Sequence, residues 1–122
     1  QSRAISQSME RWTREAPVAA GNFLQDMAPS ESRDAAVKSY ANELDGSDPQ
    51  MAAEWAGSIA DDQMRSETLN GVARSWIRRD PEGARAWLPG SGLSGDQQER
   101  ILRDADRRQQ FRDRFRDNQG DR

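Results

Sequence analysis

The stretch "RRDPEGARAWL", residues 78–88, sets a tryptophan six residues after the proline of an Asp-Pro dipeptide, and the recurrence of this arrangement decides the fold. Pro17, Pro49 and Pro81 are separated by 32 and 32 residues. Ala16, Asp48 and Asp80 precede them. Three residues after each proline stand Ala20, Ala52 and Ala84, and six after stand Phe23, Trp55 and Trp87. Leu24, Ala56 and Leu88 follow directly. Five residues before each proline come Trp12, Leu44 and Trp76, and twenty after come Val37, Leu69 and Ile101. So many matched positions at one spacing are the mark of a stacked repeat architecture.

Each repeat reads as two helices. Proline suits the first helical position, where its fixed φ fits the helix and its missing N–H is not needed. Asp48 and Asp80 sit one residue earlier, where a carboxylate oxygen accepts from an orphan backbone N–H. Ala16 cannot do this, which weakens the first cap by about 1 kcal/mol. Pro49, Ala52, Trp55, Ala56 and Ile59 trace one helical face, so the aromatic falls on a buried stripe nearly two turns into the helix. Ser30, Asp62 and Ser94 are expected to cap the second helices. The apolar faces of those helices run Val37, Tyr40, Ala41, Leu44 and then Leu69, Val72, Ala73, Trp76. Ile5, Met9 and Trp12 fit the same face one repeat earlier, so the chain opens within a second-type helix. "PGSGLSG", residues 89–95, is expected to end the third first-type helix early and replace its last turn with a loop.

One hairpin of this size cannot bury both apolar faces, but hairpins stacked in register can. The expected fold is therefore all-α, a short α-solenoid of tandem helical hairpins over residues 1–104, followed by a charged C-terminal helix or tail over 105–122. Loss of one of the tryptophans or of Phe23 would cost about 3–5 kcal/mol if the residue is fully buried.

Composition agrees with a thin core. Of the 122 residues 34% are hydrophobic and 32% charged, and mean hydropathy is −1.08. No run approaches the roughly 20 apolar residues of a membrane helix, and no N-terminal export signal is present. The first residue is Gln1 rather than Met, as expected of a piece trimmed from something longer. With no Cys and no His, disulfides, Cys/His zinc sites, thiol nucleophiles and imidazole bases are excluded.

The pattern resembles the tandem helical repeats of large exported proteins from verrucomicrobial and planctomycete-like bacteria. The match lies in "SDPQMAAEWAGSI" and "RDPEGARAWL", with "EAPVAAGNFLQDM" as a degenerate copy, and covers residues 5–101. The resemblance implies a fold and an exported or periplasmic location, and no reaction. The tetratricopeptide repeat is a more distant likeness: its Trp also lies six residues after its Pro, but Ser58 and Ile59 stand where its Leu-Gly would.

Candidate chemistry concentrates at the C-terminus. Net charge is −3 overall, yet residues 97–122 carry 8 basic and 6 acidic side chains against 10 and 15 before them. Arg107, Arg108, Phe111, Arg112 and Phe115 form the candidate partner-binding set, since arginine interleaved with aromatics suits a protein, phosphate or base-stacking surface. Asp104, Asp106, Asp113 and Asp117 offset much of that field. The segment therefore also reads as an ion-paired helix whose two phenylalanines dock on the last repeat as a cap. A protein or peptide partner is expected ahead of nucleic acid, with self-association through terminal repeats as a further possibility.

No catalytic residue, metal ligand or cofactor is expected. Asp48, Asp62 and Asp80 are accounted for as caps, the adjacent Asp61-Asp62 pair lacks the further oxygens of a hard-cation loop, and Lys38 lies on a polar face. The glycines of "PGSGLSG" lack the Lys-Ser/Thr of a phosphate loop, and Trp12, Trp55, Trp76 and Trp87 all occupy core positions. The functional expectation is a non-catalytic interaction module. The alternative is a structural spacer within a larger exported protein, with a carboxylate-dependent enzyme third.

Overall fold

A computed structural model of the chain describes the backbone of residues 2–120 and the side chains of residues 8–116. Each of the three register prolines opens a helix: α2 (Pro17–Asp26), α4 (Pro49–Ala56) and α6 (Pro81–Trp87). The helices between them are α1 (Ser2–Glu15), α3 (Glu31–Leu44), α5 (Asp62–Arg79) and α7 (Gly95–Gly120). The described residues are all-helical, with no strand.

The caps explain the boundaries. Asp48 accepts from the Met51 amide at 3.1 Å and Asp80 from the Gly83 amide at 3.1 Å. Ala16 has nearly the same backbone angles as these two but no side chain to accept with. Ser30 caps α3 through the Arg33 amide. Ser94 caps α7 in a reciprocal box: its hydroxyl accepts from the Gln97 amide while its own amide donates to Gln97 Oε1. At α5 the expected cap is displaced by one residue. Asp61 accepts from the Met64 amide at 2.7 Å, whereas Asp62 lies inside the helix and pairs with Arg65. The loop before α5 is fixed from the neighbouring hairpin by the buried Asp34, which accepts from the amides of Ala60 and Asp61. That tether sets the chain direction entering α5 and presents Asp61, not Asp62, to the open end of the helix.

The third first-type helix does not lose a whole turn. α6 ends at Trp87, one residue short of the matching Ala56 in α4, and Leu88–Gly90 continues as a turn of 3-10 helix. Gly92 then takes the left-handed conformation (φ +88°), where a side chain would be strained.

α1 packs on α2 and α3, α3 on α4 and α5, and α5 on α6 and α7. The small residues at the register positions make these approaches close: Ala20, Ala52, Ala84, Ala36, Ala41 and Ala73 are all inaccessible to solvent. Leu24, Val37, Ile59, Val72, Leu88 and Ile101 fill the core between the helices. Met9 is buried as expected, and the side chain of Ile5 lies outside the described residues.

The aromatics are the main departure from expectation. Trp76 is buried, but Trp12, Trp55 and Trp87 are half-buried and Phe23 is 49% exposed. They lie at the margin of the core as pairs, Trp12 with Phe23, Tyr40 with Trp55, and Trp76 with Trp87, with centroids 5.1–5.3 Å apart. Short first-type helices with alanine on the inner face bring the backbones too close for a large ring between them, so the rings lie across the edge of each hairpin. Truncating Trp12, Trp55, Trp87 or Phe23 should therefore cost less than the full-burial figure of about 3–5 kcal/mol.

Candidate functional site: an arginine cleft beside the C-terminal helix

The last helix is attached differently from its predecessors. α2 packs on α3 and α4 on α5, but α6 barely touches α7. Counting 32 residues on from Trp76 and Ile77, both buried, α7 presents Arg108 and Gln109, and on from Asp80 it presents Arg112. Long polar side chains thus stand on α7 where α5 carries the ring that packs on Trp87 of α6.

Polar contacts fix α7 where the core does not. Gln97 donates to Ser66 Oγ at 2.8 Å and Arg74 to Asp104 at 2.8 Å, both from α7 to α5. Arg85 of α6 pairs with Asp106 at 3.0 Å. The Arg74 guanidinium holds the Asp104 carboxyl below the usual carboxylate range, and Arg107 and Arg108 add to the effect. Beneath these contacts only Ile101, with Leu102 and Ala105 partly covered, anchors the helix in the core.

Between these tethers and the end of α5 lies a cleft of about 230 Å³. Its lining combines the apolar Ile77, Pro81 and Ala105 with Arg78, Arg85, Arg108 and Arg112, and with Gln109. The α5–α6 corner positions its near wall. The Asp80 amide closes α5 by donating to Trp76 O at 2.7 Å, while the Asp80 side chain opens α6, so Arg78 and Arg85 flank one tight turn. Arg85 is paired with Asp106. Arg78, Arg108 and Arg112 have no ion-pair partner within 4 Å among the described residues. The cleft thus joins apolar and cationic side chains in one lining.

Of the five residues expected to bind a partner, Arg108 and Arg112 line this cleft. Arg107, Phe111 and Phe115 do not, and line shallow hollows further along α7, again with Arg108 and Arg112. Phe111 and Phe115 are 71% and 57% exposed, so they do not dock on the last repeat as a cap. α7 runs unbroken through residues 104 and 105, and residues 107–116 are exposed along it. Arg78, Arg85 and Pro81 were not anticipated. Nothing in the sequence around them marks them out. Asp117 lies outside the described side chains.

A second polar cluster lies where α3 ends. Arg79 reaches the Asp45 carbonyl at 3.5 Å, and Asp45 Oδ1 is buried without a hydrogen-bond partner among the described residues. Burial pushes the Asp45 carboxyl up, against the opposing pull of Ser75, Arg79 and Arg78. This carboxylate lines none of the clefts described above, and its contacts join α3 to α5.

Among the described residues no three or more Asp or Glu gather as metal ligands, and no helix is long and apolar enough to cross a membrane. No family model, no curated protein and no solved structure matches the chain.

Proposed function

We propose that the chain is a non-catalytic interaction module. Its helices stack as a short α-solenoid with a 32-residue period, and it binds a protein or peptide through the exposed half of α7 and the adjoining cleft. The observation that carries this reading is the pair Phe111 and Phe115. Two large apolar rings one helical turn apart are mostly open to solvent on a helix that extends past its own core. Scattered single apolar residues on a surface need no explanation, but paired aromatics among arginines have the composition of binding hot spots. The sequence likeness to repeats of exported bacterial proteins favours an extracytoplasmic setting.

Cross-linked capture from envelope and soluble fractions tests the reading, comparing the full chain with Phe111→Ala/Phe115→Ala. Both side chains are exposed, so the variant keeps its fold. A partner retained by the full chain and lost by the variant is the expected result. Equal capture by both contradicts a site on α7, and capture by neither favours a spacer role.

A further inference from the structure

We propose that the cleft between α5, α6 and α7 recognises a glutamate-bearing segment of the partner, with the glutamate methylenes on Pro81 and Ala105 and its carboxylate between Arg108, Arg112 and Arg78. This deepens the interaction-module reading and rests on it. The argument is one of size and charge. A volume of about 230 Å³ lies below the roughly 300–1,000 Å³ of small-molecule sites and suits one or two side chains. A lining of apolar side chains and arginines matches a side chain that is aliphatic at its stem and anionic at its tip. Arginine binds carboxylates through paired N–H donors, which adds directionality to charge.

Three of the four guanidinium groups have no ion-pair partner within 4 Å among the described residues, so they meet the ligand without first breaking an internal pair. The fourth, Arg85, is paired with Asp106 of α7 at 3.0 Å. Nucleic acid is the weaker fit. Asp104, Asp106 and Asp113 punctuate the same helix, whereas a phosphate backbone needs a continuous basic track.

The test is fluorescence polarisation of a labelled glutamate/leucine peptide against the whole chain. Controls are the glutamine/leucine analogue and a single-stranded oligonucleotide of equal charge. The glutamate peptide should bind at least about tenfold more tightly than the glutamine analogue, as expected for losing a charge-assisted bond. Arg108→Gln/Arg112→Gln should lose at least about tenfold, and so should Arg78→Gln. Arg78 stands on a different helix, so its effect does not depend on α7 staying in place. Equal binding of the two peptides, wild-type affinity in these variants, tighter binding of the oligonucleotide, or no binding of the glutamate peptide would each overturn the proposal. The two readings fail separately. If Phe111→Ala/Phe115→Ala abolishes partner capture while the arginine variants capture normally, the cleft inference falls and the α7 interaction site stands.

Discussion

Tyr40 and Trp55 meet edge to face, with centroids 5.1 Å apart and ring planes at 80°. They form the middle member of three aromatic pairs, although the register supplies no aromatic at the matching position of α3. Trp12 and Trp76 stand 32 residues before and after Leu44, and they pair with Phe23 and Trp87. Leu44 itself is not aromatic, and the aromatic partner on α3 lies one turn back at Tyr40. The Tyr40 hydroxyl also reaches across α2 and donates to the Pro17 carbonyl at 2.9 Å. The ring therefore fastens the first hairpin to the second, over a glycine that leaves room for it.

That glycine gives the first prediction. A Cβ on Gly21 would lie 2.6 Å from Tyr40 Oη and 3.2 Å from Cζ. Gly21→Ala should destabilise by about 1–3 kcal/mol through overpacking, despite the gain of about 1 kcal/mol in helix propensity. Tyr40→Phe should cost about 1 kcal/mol for the lost hydrogen bond. In a double-mutant cycle by urea denaturation, Gly21→Ala should cost less in the Tyr40→Phe background, because the nearest clashing atom is gone. Additive effects would show that Tyr40 does not press on Gly21.

Ala16 gives a stabilising substitution. Its φ and ψ of −149° and 75° match those of Asp48, −148° and 81°, which caps α4. Ala16→Asp should therefore raise stability by about 1 kcal/mol, read as a higher midpoint of denaturation at unchanged slope. No gain would mean that the α2 amides are not available to a cap.

The reassigned cap of α5 is tested by two neighbouring substitutions. Asp61→Ala removes an acceptor 2.7 Å from the Met64 amide and should cost about 1 kcal/mol. Asp62→Ala removes only an exposed pair with Arg65 and should cost less than about 0.5 kcal/mol. The reverse order in thermal melts would restore Asp62 as the cap.

Asp45 makes stability depend on pH. Burial raises its folded-state pKa above the ordinary 3.8, so the folded chain binds this proton more tightly than the unfolded chain. The ionised form therefore works against folding, fully so above the raised pKa, and the penalty disappears as pH falls below 3.8. Asp45→Asn should raise the melting temperature at neutral pH, and the gain should vanish at acid pH. A loss of stability at neutral pH would show instead that the pull of Ser75 and Arg79 on the carboxylate outweighs its burial.

What was legible in the sequence was whatever depends on neighbours along one helix. Pro17, Pro49 and Pro81 open helices, Asp48 and Asp80 cap them, and Val37, Val72 and Ile101 are buried, all from spacing alone. What was not legible depends on how helices approach each other. The buried tether from Asp34 to the Ala60 and Asp61 amides decides which aspartate caps α5, across 26 and 27 residues of sequence. Alanine at the helix contacts leaves the rings of Trp55 and Trp87 half outside. Arg78 and Arg85 belong to the cleft because α6 and α7 fail to close on each other, and nothing within either segment shows that failure. For the proposed binding surface, the sequence offered Arg107, Arg108, Phe111, Arg112 and Phe115 as one set, but it could not tell whether the two rings were covered.

The most direct test of the interaction site compares two photo-crosslinking residues. One replaces Phe111, which is 71% exposed, and the other replaces Val18, which is 75% exposed on α2. Their accessibility is alike and their positions differ. If the proposed interaction module is right, position 111 should give a discrete adduct with a protein partner and position 18 little. Equal adducts from both positions, or an adduct from position 18 alone, would contradict it.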